Sequence, residues 1–152
     1  MKKIILFFTF IISIVSFSEK APNFSLKDQY GIIHTLNNYK DKTVLLIFWG
    51  SFCNPCRREL PTIEKLYKEY GKNEKDIVIL GMNREEENKV KQFLVGNNYT
   101  FPTTILKDKR VITNYSVEAV PTFILINSNK EIVNRYTGLL QEEEIVEMIN
   151  NI

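Results

Sequence analysis

Cys53 and Cys56 are the only cysteines in the chain, and they stand where one kind of sequence pattern gives way to another. Before them runs Val44-Leu45-Leu46-Ile47-Phe48-Trp49, unbroken, apolar and rich in β-formers. Such a run suits a strand covered on both faces, as at the centre of a parallel sheet. After them Leu60, Ile63, Leu66, Tyr67 and Tyr70 recur at three- and four-residue steps, which predicts an amphipathic helix over 55–70 with Gly71 as its stop. A strand feeding a helix through a cysteine pair restricts the local fold severely. Residues i and i+3 share one face of a helical turn, and their Cα atoms are roughly 5–6 Å apart, within reach of a disulfide. The positive end of the helix dipole stabilises a thiolate there. Cys53 is therefore expected as the exposed nucleophile and Cys56, one turn in, as the more buried resolving thiol. Pro55 stiffens the first turn, where its missing N–H removes no helix bond. Arg57 and Arg58 either add positive charge to the pair or form a solvated helix face.

Other uses of the cysteines are weaker. A bridge closing two residues removes little chain entropy, so it is a poor structural staple. Zinc generally takes four ligands, and the two cysteines have only the lone His34 to add. Copper tolerates a thiolate pair better, which leaves a non-catalytic metal-carrier or binding module as an alternative reading. His34 itself reads as a polar residue beside an early turn.

The rest of the chain supplies the parts of one domain over 19–152. Ala21 to Leu26, a turn at 27–31 and Ile32-Ile33 read as a small hairpin. Ile77 to Met82 is a second buried strand, and 85–96 a second helix with Val90, Phe93 and Leu94 inward. Residues 97–120 read as mixed short pieces. Thr122 to Ile126, a turn at 127–130 and Glu131 to Tyr136 form a β-hairpin, and Leu140 to Ile149 closes the chain as a helix. The expected class is α/β: a central mixed sheet flanked by helices.

Residues 1–18 stand apart from that domain. Lys2 and Lys3 precede an apolar run, Ile4 to Phe17, and Ser16-Phe17-Ser18 offers small residues for cleavage before Glu19. The run is shorter than the roughly 18–20 residues of a spanning helix. A secretory signal is expected, with an uncleaved anchor as the alternative; either places the folded part outside the cytoplasm, where cysteine pairs can oxidise. Without Lys2 and Lys3, 18 basic residues face 18 acidic ones. Nothing in that balance points to nucleic acid.

The segment Phe48-Trp49-Gly50-Ser51-Phe52-Cys53-Asn54-Pro55-Cys56-Arg57-Arg58-Glu59-Leu60-Pro61 resembles the active-site region of the TlpA/ResA-like family of exported thioredoxins. The likeness extends to Ala21-Pro22-Asn23-Phe24 and to Val111–Gly138. It implies a thioredoxin-like fold with an N-terminal hairpin and a central insertion. It also implies a thiol–disulfide oxidoreductase, most simply a dithiol reductase, needing no cofactor and no metal. Cys53 and Cys56 would be catalytic and form the redox disulfide. Glu59 would be catalytic through the proton on Cys56, the alternative being a helix-surface glutamate. Where ordinary thioredoxin has a buried strand aspartate, this chain has Ile47. Pro121 would be a cis proline facing the pair, with Val120, Trp49 and Pro55 completing the substrate-binding surface; Pro102, in Phe101-Pro102-Thr103, competes for the cis role. Pro61 would lie inside the helix. The implied partners are disulfide-containing exported proteins, such as those of cytochrome c maturation, and a membrane thiol transporter as electron donor. A monomer is expected. An oxidase of the same fold differs only in redox poise. A peroxidase of the related peroxiredoxin class would need Thr three residues before its reactive cysteine, where Cys53 has Gly50.

Overall fold

The structure is a computed structural model that describes residues 19–152. The signal or anchor expected at 1–18 lies outside the described residues. In chain order the elements are β1 (Glu19–Lys20), β2 (Ser25–Lys27), β3 (Ile33–Thr35), β4 (Thr43–Phe48), α1 (Asn54–Glu69), β5 (Ile77–Asn83) and α2 (Glu87–Gly96). They continue with β6 (Thr103–Ile105), α3 (Arg110–Asn114), β7 (Thr122–Ile126), β8 (Glu131–Thr137) and α4 (Glu142–Asn150). Six strands form one sheet in the order β1-β8-β7-β4-β5-β6. β4 and β5, and β5 and β6, pair in parallel; β7 turns back antiparallel to β4, and β8 to β7. β2 and β3 make the expected N-terminal hairpin.

The unbroken apolar run of β4 has its reason in this arrangement. Leu45, Ile47 and Trp49 pack on one side with Leu60, Ile63 and Leu66 of α1 and Ile145, Met148 and Ile149 of α4. Val44, Leu46 and Phe48 pack on the other side with Phe24, Leu36, Leu106 and Tyr115. A strand buried on both faces has no solvent side to alternate toward. Of the three residues expected inward on α2, Val90 and Leu94 are buried and Phe93 is half-buried.

Two strands go beyond the sequence pattern. β6 is Thr-Thr-Ile, part of a four-residue strand-like stretch after Pro102 within the mixed short pieces expected over 97–120, and all three residues are buried because β5 supplies a parallel backbone partner. A Cβ on Gly81 would lie 2.3 Å from Thr103 Oγ1 and 2.9 Å from Trp49 Nε1, so glycine permits the close approach of β6 and Trp49 to β5. β1 extends the opposite edge by pairing with β8. The N-terminal segment is tied down further by Tyr115, whose hydroxyl donates to Pro22 O at 2.6 Å. His34 lies in β3, with Nε2 2.8 Å from Asp28 Oδ2 and Nδ1 against the Tyr39 hydroxyl. Asp28 Oδ1 accepts from the N–H groups of Tyr30 and Ile32 and so closes the hairpin turn.

Candidate active site at the β4–α1 junction

β4 delivers the chain to the C-terminal edge of the sheet, where Trp49 N–H donates to Met82 O. A turn over 50–52 leads to Cys53, which is extended (φ −89°, ψ 111°) and caps α1. Its Sγ accepts from the backbone N–H of Cys56 at 3.2 Å, so the sulfur occupies the position of an N-cap oxygen, at the positive helix end. Cys53 and Cys56 are disulfide-bonded with Cα atoms 5.2 Å apart, inside the range expected from their spacing. Asn54 and Pro55 lie exposed between them.

Burial of the pair is deeper than the sequence suggests. Cys56 is fully buried, as expected, but Cys53 is only 8% exposed rather than openly accessible. The reason is the loop before β7. The Val120–Pro121 peptide is cis, and Val120 O lies 3.6 Å from Cys53 Sγ. Val120 is half-buried and Pro121 buried. Pro102 does not take this place: its carbonyl accepts from Gly81 N–H at 2.8 Å and belongs to the β5–β6 ladder. Trp49 requires a correction. It is 2% exposed and packs on Phe93 and Phe101 with ring centroids 5.5 and 6.4 Å away, so it supports the site from within the core. The aromatic open to a partner is Phe52, 73% exposed, which the sequence pattern does not single out.

Glu59 is not a surface residue. It is 2% exposed, beside the buried Leu60 on α1. Its Oε1 accepts from Leu140 N–H at 2.7 Å, while Oε2 has no hydrogen-bond partner. Burial pushes its pKa up to about 7; the Leu140 N–H opposes the shift, Glu144 reinforces it and Arg58 opposes it. A carboxyl poised near neutrality can hold or release a proton at working pH. Ile47, on the strand behind, is buried and cannot titrate.

Two further carboxylates shape the site. Glu85, just past β5, accepts from Ser51 N–H at 2.6 Å and Ser51 Oγ at 2.7 Å, fixing the turn that leads into Cys53. Asn83 and Lys89 hold Glu85 in turn. Burial works to raise its pKa, but bonds from Lys89, Ser51 and Asn83 bring it below the ordinary carboxylate value. Its position at the carboxyl end of the strand parallel to β4 was the available sequence signal. Glu64, 6% exposed, accepts from Thr100 N–H, Thr100 Oγ1 and Phe101 N–H and pairs with Lys68 at 2.9 Å. It anchors the segment that enters β6. Among the described residues no three His, Cys, Asp or Glu side chains gather as a metal site, and no helix is long and apolar enough to cross a membrane.

Comparison with known proteins matches this geometry to a family. The AhpC/TSA family pattern covers residues 17–135. The chain is 40% identical over 140 residues to the thiol-disulfide oxidoreductase ResA of Halalkalibacterium halodurans, spanning 90% of this chain and 79% of that protein. To the ResA of Bacillus subtilis it is 33% identical over 136 residues, spanning 90% and 75%. Among solved structures, the exposed lipoprotein thioredoxin Etrx1 of Streptococcus pneumoniae superposes with a TM-score of 0.79 at 25% identity, covering 86% of this chain and 100% of that one. The fold is thioredoxin-like.

Proposed function

This chain belongs to the AhpC/TSA family and to its TlpA/ResA-like group of thiol–disulfide oxidoreductases, and on that premise we propose that it works outside the cytoplasm as a dithiol reductase. The observation that carries the direction is the buried Glu59 carboxyl one turn beyond Cys56. Burial and a neighbouring carboxyl both disfavour a thiolate. A strong oxidant of this kind depends on a stabilised reduced form, so the surroundings of Cys56 favour a pair that surrenders electrons.

In the proposed cycle the Cys53 thiolate attacks one sulfur of a substrate disulfide. That S–S bond breaks, the substrate's other sulfur leaves as a thiolate, and a mixed disulfide remains. Glu59 takes the proton from Cys56 directly or through water. The Cys56 thiolate attacks Cys53 Sγ, forms the Cys53–Cys56 bond and expels the second substrate thiolate. Two electrons pass from dithiol to substrate. Val120 O and the Val120–Pro121 turn face the reacting sulfur and offer a backbone edge to the substrate strand, with Phe52 and Pro55 on the open side. A membrane thiol transporter would restore the dithiol, and oxidised apocytochrome c or other exported proteins would be substrates. The amino-terminal pattern of residues 1–18 supports export.

The test is the reduction potential of the full-length protein, equilibrated in dithiothreitol and glutathione buffers. A value near that of thioredoxin, about −270 mV, supports the reductase reading; one near that of DsbA, about −120 mV, overturns it in favour of disulfide donation.

A further inference from the structure

Beside the active-site turn, a groove of about 530 Å³ is lined by Asn54, Arg57 and Arg58 of α1, Phe93 of α2, and Asn97 and Tyr99. Its composition is one-sided. Arg57 and Arg58 are exposed, and neither is in an ion pair among the described residues. No carboxylate lines the groove. The nearest acidic groups on α1 are Glu59, which is buried, bonded to Leu140 and felt by the Arg58 charge without an ion pair, and Glu64, neutralised by Lys68. The lining also holds two aromatic rings: Phe93 and Tyr99 lie with ring centroids 6.4 Å apart, and Tyr99 packs on Phe101 at 6.1 Å. Arg57 lies close enough for its charge to act on the Tyr99 phenol. Residues 19–152 have balanced charge, so two guanidiniums outside any ion pair next to the nucleophile are a local concentration and not part of a general basic surface.

We infer that this groove docks the carboxylate-bearing segment flanking the cysteine of a polypeptide substrate, so that acidic disulfide proteins are the preferred class. The inference rests on the proposed reductase cycle. Arg57 is four residues beyond Cys53, about 6 Å along the helix axis. That is roughly the span of two residues of extended chain. A substrate cysteine at Cys53 therefore brings a carboxylate two residues away to Arg57. Guanidinium groups suit this task because they bind a carboxylate with two parallel N–H donors, while Phe93 and Tyr99 accept the apolar stems. Charge contacts of this rim-exposed kind act mainly on encounter and on choice between partners.

The experiment uses the reduced full-length protein and three cyclic disulfide peptides that differ only in carrying Glu, Gln or Lys two residues from the cysteines. Second-order rate constants are measured at low and high salt. The Glu peptide is expected to react about tenfold faster than the Gln peptide at low salt, a difference of about 1.4 kcal/mol, with the Lys peptide slowest. Salt should shrink the ratio. The double variant Arg57→Gln/Arg58→Gln should bring the Glu-to-Gln ratio near one, and Arg57→Lys/Arg58→Lys should keep most of it. Taking the ratio within each variant cancels any change in Cys53 reactivity. Equal rates for the three peptides, or a preference that survives the glutamine variant, would overturn the docking inference while leaving the reductase cycle standing. Reduction of none of the peptides would overturn the reductase cycle, and this inference with it.

Discussion

Glu59 and Glu64 sit five residues apart on α1, both almost wholly buried, and they are driven in opposite directions. Glu64 accepts three hydrogen bonds and an ion pair, so its charge is fully met and its pKa falls below the ordinary value. Glu59 receives one N–H, has one oxygen without a partner, and rises to about 7. Burial is common to both. What separates a carboxyl held ionised from one that keeps its proton toward neutrality is the number of donors that the surrounding fold aims at each carboxylate.

The largest effect should come from removing the satisfied member. Glu64→Ala leaves the Thr100 and Phe101 N–H groups facing a gap and Lys68 unpaired. Denaturant unfolding should register a loss of about 3–4 kcal/mol, while the thiol exchange rate of the folded fraction stays within about twofold. A large drop in exchange with stability intact would erase the distinction between the two carboxylates.

Next in size is a pH effect with a definite sign. Glu59 has a folded pKa of about 7 against an ordinary value of 4.5, so the folded protein holds this proton longer than the unfolded chain does. Its contribution therefore favours folding below about pH 4.5 and is lost as pH rises from there to about 7, a fall of about 3 kcal/mol. Glu64 runs the other way: its depressed pKa adds stability above the ordinary carboxylate value and loses it in acid. Unfolding measured from pH 4.5 to 8 should show the Glu59 decline in the native sequence and a nearly flat profile in Glu59→Gln.

The same variant sharpens the comparison kinetically. If Glu59 manages the Cys56 proton, Glu59→Gln should slow resolution of the mixed disulfide by about tenfold to hundredfold, seen as build-up of that intermediate in single-turnover mixing. An unchanged resolution rate and unchanged thiol titration would reduce Glu59 to an anchor like Glu64. The smallest effect is expected at Glu85→Gln, which keeps the shape but weakens the grip on Ser51. A loss of about 1 kcal/mol of stability and a severalfold change in Cys53 reactivity are expected, with the Glu59-dependent pH profile intact.

The central part of the molecule is legible from local sequence because its physics is local. The β4 run, the helical spacing after it and the cysteine pair at their junction lie within residues 44–70, and the observed elements begin and end within a residue or two of the expected ones. The strand, turn, strand and helix downstream of Pro121 favour it over Pro102 for the cis role, and the observed cis peptide is at Pro121. β6 has only a short strand-like signal, because a three-residue stretch becomes a strand only when β5 offers its backbone. The motif suggests a surface position for Trp49, but it does not say which face of the edge an aromatic takes; Phe93 and Phe101 decide that.

By itself, then, the sequence determined the reacting atoms: which two sulfurs can bond, on which helix, and at which electrostatic end. Spacing and periodicity are properties of the chain and need no distant partner. Only the tertiary structure decided how those atoms are governed. Leu140, 81 residues beyond Glu59, supplies its single hydrogen bond; Val120, 67 residues beyond Cys53, covers the sulfur; Glu85, 34 residues beyond Ser51, fixes the turn. Desolvation and hydrogen-bond count set a proton's affinity, and both exist only once elements remote in sequence have packed together.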